Sequence, residues 1–334
     1  MPPSTSIWML GSGKIGHEAN CNGIIAALGL SAQTRPIRPR KLFDLLAPWG
    51  PIDWKDRPTQ AGSCLAPPFP DIAIAAGRVT VPYLRHLKSA AGGKTFTIFM
   101  QDPRTGTGAA DVIWVPAHDR LRGENVIVTL TSPHPLRPQA LADSRLNPDP
   151  RLAALTGPRL ALILGGPSGD YDFGSHDHQA LAKIAADCLR KGFAVMVTPS
   201  RRTPLDCLSL IRQSLAAAGA TDKTCFIWEG EGTNPYIPML AMAEAIIVTG
   251  DSVNMVGEAC ASGRPVHVYQ PHIKLTKSKP SKTIGFIDQL AEAGYVRRWQ
   301  GEIEQWSYEP LDSTGVIASQ IAQRYLAHRE HLNG

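Results

Sequence analysis

Apolar positions along the chain fall into short unbroken runs, each followed by a glycine turn and then a stretch of helical spacing. Ile7 to Leu10 is such a run. Gly11-Ser-Gly-Lys-Ile-Gly-His-Glu18 follows it, and then an Ala/Ile/Leu-rich stretch from Ala19 to Leu28. This reads as strand, glycine loop, helix. Further strands are predicted at residues 71–75, 95–100, 111–115 and 126–130, with a helix over 81–88. Unbroken apolar strands alternating with helices predict a parallel sheet covered on both faces. Prolines at 148, 150 and 158 then interrupt the pattern, and residues 146–158 read as a linker.

The second half repeats the opening. Leu160 to Leu164 is a strand, Gly165-Gly-Pro-Ser-Gly169 a glycine loop, and His178 to Arg190 a helix. Leu181, Ile184, Ala185, Cys188 and Leu189 lie on one face of that helix, and Gly192 stands just past its end. Strands at 194–198, 224–228, 245–249 and 265–269 continue the alternation. A last helix starts at Asp312 and runs towards Glu330, with Ile317, Ile321, Tyr325 and Leu326 on one face. The fold class is therefore α/β, with two Rossmann-like domains over residues 1–150 and 158–310. Residues 312–330 form a closing helix.

Composition narrows the function. The 334 residues are 43% hydrophobic and 19% charged, too apolar for a disordered chain. The net charge of +5 suits an anionic small molecule and lacks the dense basic stripe of a nucleic-acid binder. Six cysteines without a C-x-x-C pair fit a reduced compartment. The first residues lack a basic signal-type region, and no apolar stretch reaches the ~18 residues of a membrane span. A cytoplasmic protein is expected, with peripheral contact at the inner membrane left open.

Several motifs sit at predicted strand ends, where ligands bind in open parallel sheets. Gly11-Ser-Gly-Lys-Ile-Gly16 fits G-x-G-x-x-G, whose glycines, Gly13 and Gly16 among them, let a phosphate or sugar approach the backbone. The acidic residue that an NAD site needs about 20 positions on is absent from Ser31 to Arg40, so NAD is disfavoured. NADP, through Arg35 or Arg38, is a secondary reading. His17, at the start of the helix, is a candidate general base. Thr198-Pro-Ser-Arg-Arg-Thr203 offers Arg201 and Arg202 for a diphosphate. Asn234 and Tyr236 stand in a glycine-containing turn whose backbone groups suit a base edge. Thr249-Gly-Asp-Ser252 caps a helix bearing Glu258: Ser252 and the first N–H groups suit a phosphate, and Glu258 suits ribose hydroxyls. His176-Asp-His178 lacks further ligands at metal-site spacing, so no metal and no cofactor are expected. Lys274, Lys277, Lys279 and Lys282 read as a solvated basic loop.

The set of motifs resembles the mitochondrial-fission ELM-type family over about residues 7–330. It comprises Gly13-Lys-x-Gly-His17, Gln101-Asp-Pro103, Val115-Pro-x-His-Asp119, Gly165-Gly-Pro-Ser168, Thr198-Pro-Ser-Arg-Arg-Thr203, Gly230-Glu-Gly-x-Asn-Pro-Tyr236 and Thr249-x-Asp-Ser-x-x-Met-x-x-Glu258. That family looks like a branch of the GT-B glycosyltransferases. The resemblance implies two Rossmann-like domains facing across a cleft, with the C-terminal helix crossing back to the first. It implies a nucleotide-diphosphate sugar, UDP-type favoured, on the second domain, and an envelope glycan or lipid-linked acceptor on the first. On that reading Gly165, Gly166, Ser168, Arg201, Arg202, Asp251 and Ser252 surround the diphosphate. Glu258 binds the ribose, and Glu231, Asn234 and Tyr236 lie near the base. His17 deprotonates the acceptor. The competing expectations are a nucleotide-sugar 2-epimerase and a non-catalytic adaptor at a membrane.

Overall fold

The computed structural model describes residues 1–2, 4–274 and 282–333. It contains two compact units, Met1–Pro135 with Ser313–Gly334, and Leu136–Asp312. Each unit holds one six-stranded, fully parallel sheet in a GT-B-like α/β architecture.

In the first unit the strands are β1 (Ile7–Gly11), β2 (Gln33–Pro36), β3 (Ile72–Ala75), β4 (Phe96–Phe99), β5 (Val112–Pro116) and β6 (Val126–Thr129), in the order β2-β1-β3-β4-β5-β6. Successive side chains point to opposite faces of a strand, so the apolar run of β1 feeds two cores. Ile7 and Met9 pack with Cys21 and Ile24 of the helix Ile15–Ala27. Trp8 and Leu10 pack on the other face with Leu84 and Leu87 of the helix Val81–Ala90. The C-terminal helix, Ser313–Asn333, joins the first of these cores through Ile317, Ile321 and Tyr325. It is tied down by Thr131 Oγ1 donating to Ser313 Oγ at 2.7 Å. The helix thus returns to the first unit as expected. Leu326, expected on its apolar face, is exposed, because it lies one residue beyond the i, i+4, i+8 stripe.

In the second unit the strands are β7 (Arg159–Leu164), β8 (Ala194–Pro199), β9 (Cys225–Ile227), β10 (Ala245–Thr249), β11 (Val266–Tyr269) and β12 (Val296–Arg298), in the order β12-β11-β10-β7-β8-β9. Read from β9, this is the doubly wound order in which the chain starts mid-sheet and reverses direction between β7 and β10. In the first sheet the corresponding reversal lies between β1 and β3. Crevices outside the strand ends at these two points are where such sheets bind ligands.

The proline-punctuated stretch before β7 is helical in part. Pro138 and Pro150 open the helices Pro138–Leu146 and Pro150–Ala153, where a missing N–H costs nothing. Both helices belong to the second unit, and the division falls after Pro135. Arg145 fixes the first helix by donating to the carbonyls of Ala241 and Ser262, at 3.1 and 3.0 Å. All six thiols are unpaired. Among the described residues no helix is long and apolar enough to cross a membrane.

Candidate functional site

Each unit carries a candidate site at its sheet reversal. In the first, a cleft of about 340 Å³ is lined by Ser12, Lys14, His17, Arg38, Gly77 and Arg78, among others. His17 is the third residue of the helix Ile15–Ala27. Its Nδ1 lies 3.0 Å from Ser12 Oγ, which fixes the ring plane. Gly77, after β3, forms the floor: it has φ +103°, and a Cβ there would lie 2.7 Å from His17 Nδ1. Burial holds the His17 pKa below its ordinary value, and Lys14 lowers it further against an opposing pull from Glu18. The imidazole is therefore neutral at pH 7, the form in which a base accepts a proton.

The glycine loop beside it has its own anion. Gly13 N–H donates to Glu18 Oε1 at 3.0 Å. A carboxylate in the first turn suits the positive end of the helix. Gly16 is exposed. Arg78 is committed to the segment after β2, donating to Asp44 Oδ1 and to the carbonyls of Asp44 and Ala47. Among the described residues Lys14 has no side-chain partner.

In the second unit the loops after β7, β8 and β10 converge. Gly165 N–H donates to Thr249 Oγ1 at 2.7 Å, and Gly166 N–H to Asp251 Oδ2 at 3.1 Å. Arg202 donates to Asp251 Oδ2 at 2.7 Å and to the carbonyls of Gly166 and Pro167, both at 3.0 Å. Thr203 Oγ1 donates to the Gly165 carbonyl at 2.6 Å. The approach is too close for side chains: a Cβ on Gly165 would stand 2.1 Å from Asp251 Oδ1, and one on Gly166 2.1 Å from the Arg202 carbonyl oxygen. The Asp251 side chain is fully buried, while the Arg202 guanidinium is partly exposed. Asp251 thus ties the loops together through Oδ2, and Arg202 spends three hydrogen bonds doing the same. Arg201 is exposed and, among the described residues, has no hydrogen-bond or ion-pair partner.

Ser252 Oγ caps the helix Val253–Cys260, accepting from Met255 N–H at 3.5 Å. Glu258, two turns in, accepts from Tyr236 Oη–H at 2.7 Å. Burial pushes the Glu258 carboxyl up, and the Tyr236 bond partly offsets this. The Tyr236 phenol is raised well above its ordinary value by burial and by Glu258. Two residues expected near a base and a ribose therefore form one hydrogen-bonded pair. Asn234 Oδ1 accepts from Tyr236 N–H, and the Glu231 carbonyl from Trp228 Nε1.

Ser168 is bound into a second layer. Its carbonyl accepts from Lys274 Nζ at 2.9 Å. Of the expected basic loop, Lys277 and Lys279 lie outside the described residues, and Lys282 opens the helix Lys282–Glu292. Beside this layer, His176, Asp177 and His272 bring their ligand atoms within 4.8 Å of one another. His272 is the third residue that spacing alone could not supply. His178 takes no part; its Nε2 is 3.1 Å from the Phe173 carbonyl. Asp177 is a capping residue of the helix Ser175–Arg190 and accepts from Gly174 N–H, Tyr269 Oη–H and His272 N–H.

Gly77 and Arg78 lie outside the expected motifs, whereas Thr203 and Thr249 stand within them but had no role of their own assigned. Gly77 and Thr249 carried a signal, since each follows or ends an apolar strand.

Comparison with known proteins agrees with this architecture. The chain aligns at 29% identity over 287 residues with the mitochondrial fission protein ELM1 of Arabidopsis thaliana, covering 78% of this chain and 65% of that one. It therefore spans just under two thirds of that relative's length. Among solved structures it is similar to a Listeria monocytogenes protein described as a UDP-N-acetylglucosamine 2-epimerase, at TM-score 0.52 and 13% identity, covering 98% and 97% of the two chains. It is also similar to the Neisseria meningitidis UDP-GlcNAc 2-epimerase bound to UDP-GlcNAc, at TM-score 0.50 and 12% identity, covering 96% and 100%. At these identities the likeness concerns the fold. The family model for mitochondrial fission ELM1 matches residues 15–325, and the chain belongs to that family.

Proposed function

We propose that the protein is a glycosyltransferase of GT-B type that takes a sugar from a nucleotide diphosphate, UDP by preference, held by the second unit. The observation that carries this reading is the interlocked set of loops at the β7/β10 reversal. Backbone at Gly165 and Gly166 is fixed in place by Asp251 and Arg202, beside an uncommitted Arg201. Arg201 and the N-terminus of the helix Val253–Cys260 take the charge of the departing diphosphate, with Ser168 and Ser252 at its edges. Glu258, aligned by Tyr236, accepts from ribose hydroxyls; Asn234 and Glu231 border the base.

The acceptor, an envelope glycan or lipid-linked sugar on the cytoplasmic side, binds the first unit. There neutral His17 removes the proton from its attacking hydroxyl, with Gly13 and Gly16 lining the approach. The competing enzyme reading is a 2-epimerase, the activity named for both structural neighbours. Turnover of a UDP-sugar without any acceptor would favour it. A non-catalytic adaptor, in keeping with the plant relative's name, binds no nucleotide.

Calorimetric titration with UDP, GDP, ADP, CMP and NADP tests the donor assignment. Binding of one diphosphate, weakened at least tenfold in Arg201→Ala, is expected. Heat from none of them would overturn it.

A further inference from the structure

Five of the twelve exposed large apolar side chains in the described structure fall within thirteen consecutive residues of the first unit: Leu42, Leu45, Leu46, Trp49 and Trp54. Leu45 is 78% exposed and Trp49 66%. A concentration of this kind on a water-facing surface marks an interaction site. The segment is rigidly presented. Arg78 holds its helix, Lys41–Leu46, through the Asp44 and Ala47 carbonyls, and Arg85 donates to the carbonyls of Pro48 and Trp49. Trp54 stands edge-on to the buried Phe43 at 5.7 Å.

The rim is cationic. Arg38, Lys41, Lys55 and Arg57 are all exposed, and none has an ion-pair partner among the described residues. The acidic groups in the same stretch are neutralised or covered: Asp53 is buried against Arg40, Asp56 accepts from Tyr83 Oη–H, and Asp44 pairs with Arg78.

We propose that this surface, residues 38–57, docks on an anionic lipid bilayer, with Leu42, Leu45, Trp49 and Trp54 entering the headgroup boundary. Leucine tips with amphipathic indole rings inside a lysine and arginine rim are the composition of an interfacial anchor. A protein partner fits less well, since protein interfaces are depleted in lysine and two of the four rim cations are lysines. Arg38 and Asp44 also line the His17 cleft, so a docked bilayer lies beside that cleft's opening. The inference does not depend on the transferase reading and is tested without any sugar.

The full chain is sedimented with vesicles of phosphatidylcholine, with and without phosphatidylglycerol. Binding is expected only with the anionic lipid, and is weakened by raised salt. The double substitution Leu45→Ser with Trp49→Ser lowers partitioning at least tenfold. Leu205→Ser, which removes a comparably exposed leucine from the second unit, leaves it unchanged. Melting temperature and circular dichroism report that both variants are folded. Absence of binding to anionic vesicles at low salt would overturn the proposal, as would undiminished binding by the double variant. Loss of self-association in that variant without any vesicle binding would overturn it in favour of a second copy as occupant.

Discussion

The two glycine loops begin alike in sequence, a strand followed by closely spaced glycines and a helix, yet they are closed by different means. After β1, Gly13 N–H is satisfied by Glu18, five residues on, so the loop is a local motif that carries its own carboxylate. After β7, Gly166 N–H is satisfied by Asp251, which arrives from β10 and is itself clamped by Arg202 from the loop after β8. The first device needs one helical turn to form. The second needs three strands in register. A loop closed locally is free to serve as the edge of a cleft, here that of His17. A loop closed by tertiary contacts has its shape set by the whole sheet, which is what a preorganised ligand site requires.

The difference predicts unequal sensitivity. The largest effect is expected for Gly166→Ala, whose Cβ meets the backbone carbonyl of Arg202. Stability should fall by about 3 kcal/mol or more on chemical denaturation, because backbone must move. Arg202→Ala comes next. It leaves the Asp251 carboxylate buried without its partner, and should cost about 2 kcal/mol, less than a fully buried pair because the guanidinium is partly exposed. Its neighbour sharpens the contrast: Arg201→Ala should leave the melting temperature unchanged and lose nucleotide. Glu18→Ala, in the local loop, should cost only about 1 kcal/mol, since water can reach Gly13 N–H.

Two smaller effects concern titration. His17 has a pKa below that of the unfolded chain, so its contribution to stability is fully present above pH 6.5 and is lost as pH falls through the folded value. Removing Lys14 should move the His17 midpoint up and removing Glu18 should move it down, as read from its ring proton shifts. The acidic limb of any His17-dependent activity should move with it. Glu258 behaves oppositely. Its raised pKa means the charged, buried carboxylate costs stability at neutral pH, a cost relieved as pH falls through the raised value towards 4.5. Tyr236→Phe removes the bond that offsets that cost, and should steepen the pH dependence of unfolding.

Much of the fold was legible because central parallel strands are apolar without interruption, as in β1, β3, β7 and β10. The edge strands β2 and β12 were not, since Gln33–Pro36 and Val296–Arg298 are largely polar and face water on one side. The C-terminal helix announced its buried stripe, Ile317, Ile321 and Tyr325, although periodicity alone does not say which sheet receives it. In the site, residue types at strand ends were legible but their division of labour was not. Arg201 and Arg202 are adjacent and chemically identical. Only the arrival of Asp251, 49 positions from Arg202, makes one a clamp and leaves the other open. His272 reaches Asp177 over 95 positions, beyond any local spacing rule. Glu18 lay within the motif itself, but nothing in its spacing said that its carboxylate would fold back on the loop.

The central claim is that the loop closed by tertiary contacts, and not the locally closed one, receives the nucleotide. Amide hydrogen exchange of the full chain with and without UDP tests it directly. The account predicts added protection in residues 165–168, 200–203 and 249–258, and none in residues 11–18. Protection confined to the first loop, or none in the second, would contradict it.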